Sequence, residues 1–150
     1  MKIKIGAVAI IGLASIGALH SALRAQEEQA ARSVWEGVYT EEQARRGAEL
    51  YAQECASCHG PLLTGTGEEA PPLAGPGFLA NWNGLTAGDL FERVRRSMPP
   101  NKTGRLSREK NVDILAHVLS VNGFPPGKTE LARETERLKQ IRIDATRPTN

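Results

Sequence analysis

The stretch AQECASCHGP, residues 52–61, decides the fold of this sequence. Two cysteines, Cys55 and Cys58, flank two small residues, and His59 follows the second cysteine directly. On a helix, positions i, i+3 and i+4 lie on one face, so all three side chains would point the same way at the end of a helix. The chain has no other cysteine, which excludes a second disulfide and a zinc site of four thiolates.

Three kinds of site use two cysteines at this spacing: a redox disulfide, a zinc centre, and the thioether attachment of a haem. A thioredoxin-like redox pair is typical of a βαβ unit, and this sequence has no strand with clean apolar and polar alternation. Zinc would need further ligands, and a set that combines both cysteines with His59 and His117 is crowded by the adjacent histidine. The C-x-x-C-H pattern is the attachment signature of c-type haem, so haem is the favoured interpretation.

The N-terminus has the composition of a secretory leader. Lys2 and Lys4 precede an apolar run over residues 5–19, and small residues follow. Because that run is shorter than the ~20 residues that span a bilayer, cleavage after Ala25 is favoured over retention of residues 1–25 as an anchor. Both outcomes predict a periplasmic protein, and membrane contact is expected only if the leader is retained. A polar segment, residues 26–39, separates the leader from the domain.

The charge balance does not indicate a nucleic-acid partner. The chain has 19 basic and 17 acidic residues, and without the three basic residues of the leader 16 basic residues remain. One segment, residues 93–110, is nevertheless strongly basic and contains a single acidic residue, Glu109. If it borders a cofactor edge, it would steer an acidic redox partner; a solvated face is the alternative. Its basic members are Arg93, Arg95, Arg96, Lys102, Arg105, Arg108 and Lys110.

Three helices are predicted from their caps. Thr40, with Gln43 three residues later, predicts a helix that runs to the cysteine motif, and Thr86 with Asp89 predicts a second one that ends at SMPP, residues 97–100. Ser107 starts a third, which ends at Asn122 and Gly123.

The segments between and after these helices differ in composition. Residues 60–88 hold seven glycines and four prolines among 29 residues, which predicts a long ordered loop. Residues 125–150 form a charged tail, expected either as a solvated helix or as a segment that lies on the domain through Leu131, Leu138 and Ile141. Seven aromatic residues give a poor core for this chain, and a flat apolar cofactor would complete it.

Residues 40–124 resemble the small bacterial monohaem c-type cytochromes of class I. GAELYAQECASCHG (47–60) is similar to the first helix and haem site of that family, with Gly47 and Tyr51 at the positions of its glycine and aromatic residue. DILAHVL (113–119) is similar to its last helix, which crosses the first at that glycine, although His117 departs from the aromatic residue commonly found there. The resemblance implies an all-α cytochrome c fold, with three to four helices around one covalent haem.

The resemblance also implies roles for individual residues. Cys55 and Cys58 would attach the haem, and His59 would ligate its iron. The family places its second axial ligand in a loop before the last helix, and Met98 is the only methionine outside the leader. Two alternatives are an open iron with Met98 merely packing, and a bis-histidine site that uses His117.

Further contacts follow from the same resemblance. A proline carbonyl, of Pro71 or Pro72, would accept a hydrogen bond from Nδ1 of His59. Leu73 would pack on the ring. The remaining candidates are a propionate contact at Asn81, Trp82 and Asn83, and a ring cover from Phe78 or Leu79.

These features predict a periplasmic carrier of single electrons rather than an enzyme, with one haem c per chain and redox proteins as partners. The alternative is a haem c subunit, or dedicated acceptor, of a quinoprotein-type dehydrogenase, docked through the tail from Lys128 onward. A catalytic or gas-binding haem protein is a third possibility, and it would need an open iron.

Overall fold

A computed structural model describes residues 32–101 and 103–149 of the chain. The predicted leader and Lys102 lie outside the described residues. The described part is mainly helical, and none of its helices is long and apolar enough to cross a membrane. Its elements are, in chain order, β1 (Arg32–Ser33), a 3-10 turn (Val34–Glu36), α1 (Glu41–Glu54), α2 (Ala56–His59), α3 (Gly75–Trp82), α4 (Ala87–Ser97), α5 (Arg108–Val121), α6 (Thr135–Leu138) and β2 (Ile141–Arg142).

The three predicted helices begin at the residues that their caps indicated. The Thr40 hydroxyl accepts the N–H of Gln43 at 3.1 Å at the start of α1. At α4, Thr86 and Asp89 form a complete capping box, with bonds of 3.1 and 2.9 Å. Ser107 caps α5, which ends at Val121 just before Asn122 and the positive-φ residue Gly123. Each cap satisfies backbone N–H groups that have no partner inside the helix.

Helices α1 and α5 cross at Gly47, as the resemblance implies. A Cβ atom at Gly47 would lie 1.8 Å from the backbone oxygen of Asp113, so only glycine allows this approach. One turn further along each helix, the His117 ring packs against Tyr51 with ring centroids 5.4 Å apart. His117 thus occupies a helix contact, and burial lowers its pKa.

The Gly/Pro-rich segment contains a helix that the sequence did not predict. Residues Gly75–Trp82 form α3, with Pro76 in the first turn, where its missing N–H costs no hydrogen bond. Phe78 is fully buried and stacks on Trp82, with ring centroids 6.4 Å apart. Tertiary burial of Phe78 stabilises this short helix, and such burial leaves no periodic signal in eight residues.

The charged tail lies on the domain instead of forming a long solvated helix. Only Thr135–Leu138 is helical, and the tail buries its apolar side chains, which are Leu131, Leu138, Ile141 and Ile143. Its β2 strand pairs in parallel with β1, and Trp35 Nε1 donates to the carbonyl of Asp144 at 2.8 Å. The second of the two expectations for the tail therefore describes the structure.

Gln43 holds the tail to α1. Its Nε2 donates to the Leu131 carbonyl at 3.2 Å, and its Oε1 accepts the Leu131 N–H at 2.8 Å. The side chain is 1% exposed and turns away from Thr40, so the capping box suggested at α1 is only half formed. Gln43 instead supplies both hydrogen bonds that a buried backbone segment needs.

Candidate haem site

A cavity of about 510 Å³ opens between α2, α3, α4 and α5. Its volume lies within the ~300–1,000 Å³ typical of cofactor pockets. Its lining includes the predicted attachment and ligand residues and three of the predicted contact residues: Cys55, Cys58, His59, Met98, Pro72, Leu73 and Trp82.

The cysteine motif forms its own helical turn. Helix α1 ends at Glu54, and Cys55 has backbone angles of φ −125 and ψ −34. Helix α1 therefore runs to the motif as predicted, but the three side chains lie on a separate turn and not at the end of α1 itself. The N–H groups of Cys58 and His59 both reach the Cys55 carbonyl, at 3.1 and 2.9 Å, so the i, i+3, i+4 relation survives in α2. Both sulfur atoms and the imidazole therefore belong to one turn.

The environment of Cys55 does not favour thiolate chemistry. Burial, with the nearby Glu54 and Cys58, raises the pKa of its thiol to about 11. Redox and zinc-binding cysteines act as thiolates, which a raised pKa disfavours. The residues that the structure describes include no group of three His, Cys, Asp or Glu side chains arranged to hold a metal ion, and His117 does not line the cavity.

His59 is oriented by a backbone carbonyl. The side chain is buried, and its Nδ1 lies 2.9 Å from the carbonyl oxygen of Pro71. Because a carbonyl only accepts, Nδ1 carries the proton and Nε2 keeps a lone pair for a metal. The neighbouring backbone is fixed as well, since the hydroxyl of Tyr51 donates to the Gly60 carbonyl at 2.7 Å.

Of the two prolines that the resemblance allowed for this role, the one whose carbonyl orients His59 is Pro71. The loop is fixed here because the N–H of Leu73 donates to the carbonyl of Leu63 at 2.8 Å. Pro72 lines the cavity instead, and its ring covers Gly77, where a Cβ atom would lie 2.7 Å from Cγ of Pro72.

Met98 lies in the lining of the same cavity as His59. It follows the last residue of α4, and its N–H donates to the Val94 carbonyl at 2.8 Å. Asn111 Nδ2 fixes the other end of the loop, through bonds of 3.1 Å to the Leu106 carbonyl and 2.9 Å to the Ser107 carbonyl. Nothing in the sequence marked Asn111 for this role. Apolar side chains complete this wall: Leu90, Val94, Leu106, Ile114, Leu115 and Val118.

The contacts predicted around Trp82 are only partly present. Asn81 and Trp82 line the cavity. Asn83 does not line it, because its Oδ1 accepts the N–H of Ala145 at 2.8 Å. Phe78 and Leu79 also lie outside the lining and pack in the core, so neither covers the cavity.

Four arginines of the basic segment are held in ion pairs. Glu92 contacts Arg95 and Arg96 at 2.8 Å and Arg108 at 3.9 Å. Hydrogen bonds from Arg95, Thr135 and Arg96 lower the Glu92 pKa to about 2. Arg105 pairs with Glu54. Glu92 and Glu54 together offset two of the seven positive charges that the sequence gives this segment, so the segment stays basic although four of its arginines are paired.

The donor set fits a covalent haem. Two thiols on one helical turn can form thioether bonds, while an imidazole with a free Nε2 and a thioether offer two ligands inside the same cavity. An apolar wall from α4 and α5 suits the ring.

Comparisons with known proteins give a family and a structural likeness. The family model described as cytochrome c oxidase, cbb3-type, subunit III matches residues 42–118. The solved structure of the sulfane dehydrogenase SoxCD from Paracoccus pantotrophus is similar with 22% identity, over 94% of this chain and 68% of that chain, at a TM-score of 0.49. The search of curated proteins gives no match.

The family match includes the cysteine motif and nearly all of the two helices that cross at Gly47. It extends over about half of the chain. The chain belongs to this family of c-type cytochrome domains, carries a covalently bound haem c, and is an electron carrier rather than a catalytic enzyme.

Proposed function

We propose that the chain is an exported carrier of single electrons, with its haem attached to Cys55 and Cys58 and its iron ligated by His59 and Met98. One observation carries the proposal: His59, with Nε2 left free by its bond to Pro71, and the Met98 thioether line a single cavity. The predicted leader supports work in the periplasm, where thioether-forming cysteines meet an oxidising compartment.

The bound haem supplies a one-electron Fe(III)/Fe(II) couple. The residues of the chain determine how that couple is used. Pro71 fixes the tautomer and direction of His59, and the neutral, soft thioether of Met98 favours the reduced form, which raises the potential above that of a bis-histidine site. With His59 and Met98 both holding the iron, the chain would leave no position open to oxygen or another small ligand. Apolar side chains of α4 and α5 form one wall of the cavity and would pack against the ring.

The ligand assignment is tested with Met98→Ala. The oxidised wild-type protein should show the far-red absorption band of an iron–thioether bond, and the variant should lack it. The reduced variant should bind carbon monoxide readily, whereas the reduced wild type should not. Leu106→Ala is the matched control, because it removes an apolar residue from the same cavity without removing a ligand. A band that persists in Met98→Ala, or rapid carbon monoxide binding by the wild type, would refute the assignment.

Attachment and export are tested on the protein recovered from cell fractions. A pyridine haemochrome assay with the intact mass should give one haem per chain, and Cys55 and Cys58 should carry no disulfide. The periplasmic fraction should contain a chain that begins at Gln26. If the chain is instead found in the membrane fraction with residues 1–25 still attached, the leader is not cleaved and the carrier is anchored to the membrane.

A second candidate is a haem c subunit of a larger oxidoreductase. The description of the matched family names an oxidase subunit, which favours this candidate. The version in which the tail from Lys128 serves as a docking segment loses support, because the tail buries its apolar side chains against its own domain. Co-purification at low salt separates the candidates, since a subunit should elute with a partner and a free carrier should elute alone.

A further inference from the structure

An exposed ridge follows the cysteine motif in the chain. We call it the Cys58 ridge, and it consists of Cys58, residues 61–62 and residues 64–69. Leu62 is 75% exposed, the most exposed of the large hydrophobic residues that the structure describes. Pro61, Thr66, Glu68 and Glu69 are exposed as well. No packing within the domain accounts for an exposed leucine at this position, and apolar residues with a polar rim are typical of interaction surfaces.

The Cys58 ridge is fixed at the mouth of the cavity. Thr66 donates its hydroxyl proton to the Cys58 carbonyl at 2.7 Å, and its N–H donates to Ala70 at 3.0 Å. Glu68 and Glu69 line the cavity together with Cys58, one of the two cysteines that attach the cofactor, and the exposed Leu62 lies in the loop that carries both carboxylates.

The ridge is negatively charged. The charged residues in the cavity lining are Glu54, Glu68, Glu69 and Arg93. Glu54 is neutralised by Arg105, and within the described residues neither Glu68 nor Glu69 has an ion-pair partner. Arg93 extends from α4, the helix that leads to Met98. The charge on the Cys58 side is thus opposite to the charge that the basic segment suggested.

We propose that the Cys58 ridge is the docking surface for a basic redox protein. Leu62 would supply the apolar contact, and Glu68 and Glu69 would face lysines or arginines that surround the cofactor of the partner. Complementary charge mainly raises the association rate and orients weak complexes of this kind. One electron crosses the surface in each encounter, so that one protein is oxidised and the other reduced, with no proton transfer. The inference rests on the proposed electron-carrier function.

Small oxidants of opposite charge test the surface without a known partner. The reduced, haem-loaded protein is mixed by stopped flow with anionic hexacyanoferrate(III) or with cationic tris(phenanthroline)cobalt(III), each of which accepts one electron. In the wild type, rising ionic strength should slow oxidation by the cation and accelerate oxidation by the anion. In Glu68→Lys/Glu69→Lys both salt dependences should reverse, and the cation-to-anion rate ratio should fall about tenfold or more, within the range known for electrostatic steering.

Two control variants make the result specific. Glu49→Lys/Glu136→Lys changes the net charge by the same amount at two exposed carboxylates that do not line the cavity, and it should leave the rate ratio within about twofold of the wild type. Arg93→Glu adds negative charge to the cavity lining and should raise the cation-to-anion rate ratio, by less than the ridge variant lowers it. An equal response of the ridge variant and the remote variant would overturn the proposal, as would a larger response of Arg93→Glu. Failure of both oxidants to remove one electron per haem would instead refute the carrier function.

Discussion

Replacing Gln43 with alanine should destabilise the folded protein by about 2–5 kcal/mol. The two hydrogen bonds between the Gln43 amide and the Leu131 backbone are lost, at ~1 kcal/mol each. Leu131 is 4% exposed, so water does not replace the missing partners, and each buried backbone group left unpaired costs about 1–3 kcal/mol. The cost of an unpaired backbone group already includes part of the free energy of the lost hydrogen bond, so the two contributions are not added.

Urea unfolding of the haem-loaded protein, followed by circular dichroism, measures this loss. Gln53→Ala is the matched control, since it makes the same substitution at an exposed position of the same helix, and it should change stability by less than ~0.5 kcal/mol. Trypsin should also cut the tail of Gln43→Ala faster than that of the control. A stability loss below ~1 kcal/mol with unchanged cleavage would refute the view that Gln43 holds the tail.

Gln43→Glu adds a pH signature to the same test. A carboxylate accepts the Leu131 N–H but repels the Leu131 carbonyl, whereas the protonated acid satisfies both. Its pKa is then higher in the folded protein than in the unfolded chain. Stability relative to Gln43→Ala should be greatest below the unfolded pKa of ~4.3 and should decline as pH rises through the folded pKa.

Three other outcomes are expected. Gly47→Ala should lose about 3 kcal/mol or more in denaturant unfolding, because its Cβ would lie 1.8 Å from the Asp113 carbonyl oxygen, and a gain in stability would argue against the close crossing. The ion pairs lower the pKa of Glu92 to about 2, so they stabilise the folded protein above pH ~4.5, and this stabilisation is lost as the pH falls toward 2. The loss should be about 1–2 kcal/mol after solvent screening. Glu92→Gln should flatten this part of the profile of stability against pH, and identical profiles for the variant and the wild type would count against the ion pairs. Leu138→Ala should lower the free energy of unfolding by about 2–5 kcal/mol because Leu138 is fully buried, whereas the exposed Val121→Ala should change little, and equal effects would mean that the tail is peripheral.

Much of the site was predictable because its determinants are close together in the chain. Cys55, Cys58 and His59 lie within one helical turn, so their spacing alone indicates a shared face. Met98 could be chosen because the chain offers no other methionine outside the leader. The caps at Thr40, Thr86 and Ser107 were equally readable, since each depends on a backbone N–H three residues away.

Other features depend on residues far apart in sequence. The hydrogen bonds between Gln43 and Leu131 join positions 88 residues apart. From the sequence, Gln43 was instead predicted to complete the capping box at Thr40, three residues before it. The choice of Pro71 over Pro72 depends on how the loop crosses Leu63. Helix α3 depends on burial of Phe78, which an eight-residue segment does not reveal.

The sequence by itself determined the chemistry of the site: two cysteines, a histidine and one methionine, placed on segments that local caps define. Only the tertiary structure decided which groups are free to act. It paired four arginines of the basic segment with Glu92 and Glu54, left Glu68 and Glu69 at the cavity mouth, and buried the apolar side chains of a charged tail. The physical reason is that helix caps and ligand spacing are short-range properties, whereas burial and ion pairing depend on which distant segments meet.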